Sequence, residues 1–434
     1  MKRHLFILFL AALISPLAFA QEVHPNVGVS AGDENLGVEI TMIAKIQNYS
    51  NKADNVYVIK ETDINSPKSV VFLEEKQKFY VHSLEGYTTT VFDINTFKKK
   101  KSIIHSFTTA DDSLFQETTV LNYSFLQARS KPNVFKGKPV ESCLSHNGKY
   151  LWVTYYRRSY DPNAIEPSAV AIIDTDLDEI VRVMPTGPLP KMVACSPDNK
   201  YVAVTHWGDN TVGIIDVSSD NVKEFSFIKH LVIGYKASFT AEDGKTPVNR
   251  DSQCGYCLRG TCFTTDNKHL LVGRMGGGGI AVFKTDDFSY LKTVYGMKTN
   301  VRHLVATDNY LYLSSNKTGY VQKTPINDFI EFAYQENDTK AHYTNWSSCY
   351  AGIGARTIEV TADEKYIFVA VNNQSKIVVI RAKDMKKITE LKADSYPVGL
   401  AYCDKRNLLI STSQGRANQG GGNCVNVFNI QIFN

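Results

Sequence analysis

The sequence predicts an all-β fold, and three observations carry the prediction. Short runs of alternating β-branched and aromatic residues recur, bounded by Asn, Asp and Gly turns. A unit of four such runs repeats seven times, and no stretch sustains a helical period. Seven such units make a seven-bladed β-propeller of four-stranded antiparallel blades, with an N-terminal strand closing the last blade.

The clearest unit is "PLPKMVACSPDNKYVAVTHWGDNTVGIIDVSSDNVKEFSF", from Pro188. It reads as four strands separated by turns at Ser196-Pro-Asp-Asn, at Gly208-Asp-Asn and after "TVGIID". The series opens with "SPKSVVFLEEKQKFYVHSLEGYTTTVFDINTFKKKKSII". It closes with "YPVGLAYCDKRNLLISTSQG…CVNVFNIQIF", which stops one strand short. "NVYVIKETD", upstream of the first unit, sits where a fourth strand is due and is expected to fill that gap, leaving no open edge. "GVEITMIAKI" is strand-like but is assigned to no blade; residues 21–50 stand as an N-terminal extension of the single domain 21–434.

Residues 1–20 have the order of a secretory signal: basic Lys2 and Arg3, the apolar "LFILFLAALI", then "SPLAFA" before Gln21. The expectation is an exported protein, periplasmic or extracellular, cleaved near Ala20. No other stretch approaches membrane-spanning length. Without Lys2 and Arg3 the formal charge of +4 falls to +2, so bulk charge argues against nucleic acid as partner. A monomer is expected.

"SPDNKYVAVTHWGDNTVGIIDV" resembles the YVTN-repeat (YncE-like) family of exported seven-bladed propellers. The match is strong in blade 3, recognisable in blades 2, 4 and 6, and thin in the others. The resemblance implies the fold and not a reaction. Propellers of this kind include lactonases, amine dehydrogenase heavy chains and haem d1-binding domains.

In an antiparallel blade, the loop joining strands two and three shares a face with the connection to the next blade. Five insertions are expected on that face: 105–138, 235–257 and 326–352 between blades, 157–168 and 414–424 within them. Long loops on a rigid scaffold mark a working face.

Aligned on the turns, Lys68, Val140, Lys191, Arg259, Arg302, Arg356 and Val398 share one column, at the start of the innermost strand beside that face. Lys and Arg are only 48 of 434 residues, so five cations among seven exceeds what composition supplies. A ring of cations at a funnel mouth is solvated, paired with acids such as Glu141 or Glu359, or given an anion. The anion reading names a carboxylate-bearing or phosphorylated small molecule or an acidic glycan; another exported protein is the alternative partner. Tyr155, His206, Trp207 and Arg274, at the ends of second strands, are expected at the mouth, with Arg157 and Arg158 beside them. Arg416 is expected on a rim loop.

No GxSxG elbow at a strand-to-helix turn, no HExxH and no close histidine pair is present. A lactonase- or lyase-like reading would draw on Glu141, His206, His303 or Glu359. "RMGGGG" lacks the strand-and-helix setting of a nucleotide loop.

Cys143, Cys195, Cys262 and Cys403 fall on innermost strands as small packed residues. Cys254, Cys257, Cys349 and Cys424 lie in or beside the long loops and suggest two disulfides pinning the rim, with three pairings open. "CGYCLRGTC" has Leu258 where haem attachment needs His, and no helix follows for a thioredoxin-like motif. No cofactor is expected; zinc at Cys254 and Cys257 with a third thiol is the remaining alternative, lacking an evident fourth ligand.

Overall fold

The computed structural model describes residues 23–49, 57–117, 120, 123–336, 342–415 and 422–433. The signal-like residues 1–20, Arg416 and most of its loop lie outside them.

Seven antiparallel sheets follow one another along the chain as blades. Their innermost strands are Pro67–Leu73, Phe135–Ser145, Pro190–Cys195, Leu258–Phe263, Val301–Ala306, Ala355–Val360 and Pro397–Cys403. Each contacts the innermost strand of the next blade, so the seven surround one axis. The core lies between blades: Trp152 of blade 2, fully buried, stacks on Phe225 of blade 3 at 5.6 Å, and Phe368 of blade 6 meets Tyr402 of blade 7 at 4.9 Å.

The seam is closed from the N-terminal side, by a different strand from the one the repeat suggests. Val38–Gln47, which begins inside "GVEITMIAKI" and runs one residue past it, is the fourth strand of blade 7, antiparallel to Cys424–Ile432 along its whole length. Val58–Lys60, from "NVYVIKETD", runs parallel to the end of Val38–Gln47 instead. Packing explains the choice. Val38, Ile40, Met42, Ala44 and Ile46 alternate and are all fully buried, whereas no residue of the shorter strand is. Lys45 adds a buried ion pair to Asp394 at 3.0 Å, and Asn426 Nδ2 donates to the same carboxylate at 2.6 Å. Gly399 allows the seam to tighten, because a Cβ there would stand 2.6 Å from Lys68 O.

Four of the five insertions open on the expected face. The fifth does not: 326–346 joins strands three and four of blade 5 through a helix, Ile326–Tyr334, before the outer strand Ser347–Tyr350. That junction opens on the opposite face, where the Tyr334 hydroxyl meets His269 Nε2 at 3.0 Å. Among the described residues no helix is long and apolar enough to cross a membrane.

Candidate functional site

All seven innermost strands carry a one-residue bulge at the same place. In blade 1, Pro67 pairs with Ser83 but Val70 with Val81; the same slip recurs in every blade. The charged column lies within or beside this bulge: Lys68, Val140, Lys191, Arg259, Arg302, Arg356 and Val398. A bulge disrupts the ladder locally and re-aims the side chain. Neighbouring blades then take up carbonyls of this column. Ser69 Oγ donates to Val140 O at 2.7 Å, Thr357 Oγ1 to Val398 O at 2.8 Å and Thr412 Oγ1 to Lys68 O at 3.0 Å. Ser314 Oγ donates to Arg356 O, and Arg259 Nη1 to Lys191 O at 3.0 Å.

The five cations feel one another's charge. Burial holds the Lys68 ammonium well below the ordinary lysine range, and repulsion from Arg356, Arg259, Arg302 and Lys191 adds to it. Lys191 is likewise held down by burial, with Asp251 opposing. Arg302 is lowered by burial and then by Arg356 and Arg259, while Arg356 is pushed down to about 10 by burial and Arg259. Two unit charges ~8 Å apart at an effective dielectric near 20 repel by about 2 kcal/mol, so the cluster carries a standing cost.

Acids offset only part of it. Arg259 pairs with Glu141, and Lys191 lies 3.9 Å from Asp251. Lys191 also sits over the Tyr156 ring at 3.6 Å and the Trp207 ring at 5.3 Å, and Trp207 Nε1 donates to Asp251 O at 3.3 Å. Among the described residues Arg302 Nη1 meets the sulfur of Met275 at 3.2 Å, and Glu141 favours the charged forms of Arg302 and Arg356 without pairing with either. Lys68 and Arg356 have no side-chain partner among the described residues.

His303 and Glu359 stand on the same innermost strands, below the ring. His303 Nδ1 accepts from Ile358 N at 3.4 Å, which places the proton of the neutral ring on Nε2. Burial lowers this histidine to about 4, with Arg259 and Arg302 lowering it and Glu141 opposing. Glu359, three residues beyond Arg356, is pushed up to about 8 by burial and by Asp404.

The other residues expected at the mouth are engaged in contacts of their own. Tyr155 is fully buried: its hydroxyl meets His105 Nδ1 at 2.7 Å, and Phe107 and Phe135 cover the ring. The cause is a longer innermost strand, which starts at Phe135 and gains a further partner in Ser106–Phe107. His206 is also fully buried, with Nδ1 2.8 Å from Thr211 Oγ1, Nε2 accepting from Gly187 N at 3.1 Å, and Tyr123 of the first insertion packed beside it. Arg274 stacks on Tyr256 at 3.5 Å and donates to the Tyr295 hydroxyl at 3.0 Å. Arg158 is buried, donating to Pro132 O, and Arg157 donates to Pro162 O at 2.8 Å. Tyr156, Asp251 and Tyr396 surround the cations without having been expected. Tyr156 is the strand neighbour of Tyr155 and faces the opposite way.

The rim holds one disulfide, not two. Cys254 pairs with Cys257 across a tight turn. Cys349 and Cys424 are free and buried, because they belong to strands of blades 5 and 7 with blade 6 between them. Cys143, Cys195, Cys262 and Cys403 are free as well, and burial pushes Cys195 and Cys262 up to about 12. While Cys254 and Cys257 are bonded to each other, neither offers a thiolate to zinc. The Gly-rich loop closes over this turn: Gly276 N donates to Tyr256 O at 2.9 Å, and a Cβ at Gly276 would stand 2.5 Å from Gly255 O.

No protein-family model matches the chain, and no curated protein matches its sequence. Solved structures do match in fold. The β-propeller domain of Cps50 (Swd1) from Myceliophteria thermophila aligns with a TM-score of 0.55 at 11% identity, over 84% of this chain and 96% of that one. Hydrazine synthase from Kuenenia stuttgartiensis aligns with a TM-score of 0.55 at 12% identity, over 87% of this chain and 98% of that one. At such identities the likeness establishes a seven-bladed β-propeller and nothing about its chemistry.

Proposed function

We propose that the protein is an exported propeller, of the kind the YVTN-like repeats suggest, that binds an anionic ligand at the mouth of its axial funnel. The observation that supports this is the convergence of five cations facing two acids, with Lys68, Arg302 and Arg356 in no ion pair among the described residues. Buried charge without a counter-charge is expensive, and an incoming anion relieves it. Forked guanidiniums suit a carboxylate or phosphate group, whether on a small molecule, an acidic glycan or the surface of another exported protein. Recognition without turnover is the reading preferred here.

Native mass spectrometry of the protein from its own host tests it. A retained mass is expected on the unaltered protein and is expected to be lost in Arg302→Ala and Arg356→Ala. Retention unchanged in both variants would show that the ring does not bind the ligand. A lactone- or uronate-cleaving activity would instead draw on Glu359, whose carboxyl burial pushes up to about 8.

A further inference from the structure

The cations are unevenly compensated around the axis. Both acids lie on one side: Glu141 serves Arg259 of blade 4, and Asp251 serves Lys191 of blade 3. The cations in no ion pair among the described residues are Arg302 of blade 5, Arg356 of blade 6 and Lys68 of blade 1; Glu141, bound to Arg259, reaches Arg302 and Arg356 only at longer range. Only blade 7, with apolar Val398 in the column, stands between Arg356 and Lys68. These four blades are consecutive in the ring, so the excess positive charge forms one arc. The opposite side is close to neutral and is occupied by Tyr156 and Trp207 packed around Lys191.

Resting on the anion reading above, we propose that the funnel selects a multiply charged small anion, with two or more carboxylate or phosphate groups close together, seated off-axis on the Arg302–Arg356–Lys68 arc. Three unpaired cations on one arc outnumber what a single carboxylate can neutralise. Arg302 and Arg356 are adjacent around the ring and each offers a planar fork, while Lys68 adds a point charge. Arg259 is already committed to Glu141 and to Lys191 O, which leaves it little to offer a ligand. A uniform ring would treat all five cations alike; an arc does not.

Calorimetric titration at pH 7 and constant ionic strength, with acetate, succinate, citrate and inorganic phosphate as probes, tests the arc. Citrate is expected to bind at least about tenfold more tightly than succinate, with acetate weakest. Arg302→Gln, Arg356→Gln and Lys68→Met are each expected to weaken citrate by about tenfold or more, and Lys191→Met by less than about threefold. Thermal unfolding of the unaltered protein gives a readout free of substitutions: citrate should raise the midpoint and acetate should not. Acetate binding as tightly as citrate would overturn the charge class while leaving the anion reading intact. Lys191→Met costing as much as Arg356→Gln would overturn the arc. If no probe binds in a manner that depends on Arg356, both readings fall together.

Discussion

Lys45 is a cation withdrawn from water on the strand that closes the ring, held to Asp394 at 3.0 Å and to Pro25 O at 3.2 Å. Asp394 is itself fully buried and also receives Asn426 Nδ2 and His24 Nδ1. Removing one partner of such a pair leaves the other charge stranded. Lys45→Met is therefore expected to destabilise the protein by about 3–5 kcal/mol, read as a lower urea midpoint. Adding Asp394→Asn should recover part of that loss, and a double variant as costly as the sum of the singles would contradict the pairing. At this scale the sequence was informative about identity and less so about direction. The cation column could be read from turn alignment alone. Whether Tyr155 or Tyr156 faces Lys191 depends on where the blade 2 strand begins, which a partner strand decides.

The shared bulge is the element that makes the site. It interrupts each ladder at the charged column, and hydroxyls of adjacent blades take up the carbonyls. Thr412 is fully buried and does this twice over, donating to Lys68 O and accepting from Gly399 N at 2.9 Å. Thr412→Val keeps the shape and removes the hydroxyl, leaving a buried carbonyl and N–H without that partner. A loss of about 1–3 kcal/mol in urea unfolding is expected, and no change would mean that the ladder itself satisfies these groups. Strand order was legible because alternation and turn residues are local signals. The bulges were not, because nothing in a strand announces a slip against its neighbour. The blade 5 helix was missed for a related reason: Ser347–Tyr350 is short and largely exposed, so its place as a fourth strand rests on pairing with Tyr320–Lys323 rather than on its own pattern.

The whole molecule carries opposing titrations. Burial lowers His82 and His105 to about 3 and His303 to about 4, and holds His206 well below its ordinary value. These groups bind protons when unfolded and refuse them when folded, so they cost stability as pH falls from about 6.5 toward their folded values. Glu359, raised to about 8, and Asp209, raised to about 6, act in the other direction: they favour the fold at low pH, and their contribution fades as pH rises through those values. Below about pH 6.5 the four buried histidines outnumber the two raised carboxyls, so stability should fall on acidification. Urea midpoints measured from pH 5 to 8 check this, and a flat profile would contradict the buried histidines. The propeller's size and repeat were plain in the sequence; this balance was not, because it depends on burial.

The seam also sets the order in which the fold can be finished. Val38–Gln47 pairs with Cys424–Ile432, so this strand must wait for residues translated six blades later. Until then its apolar face, Val38, Ile40, Met42, Ala44 and Ile46, has no partner. Pairing at such a sequence separation is slow to form, and an unpaired apolar strand is prone to wrong company. The same closure that ties the finished ring together gives the growing chain an exposed, adhesive strand until the seventh blade has been made.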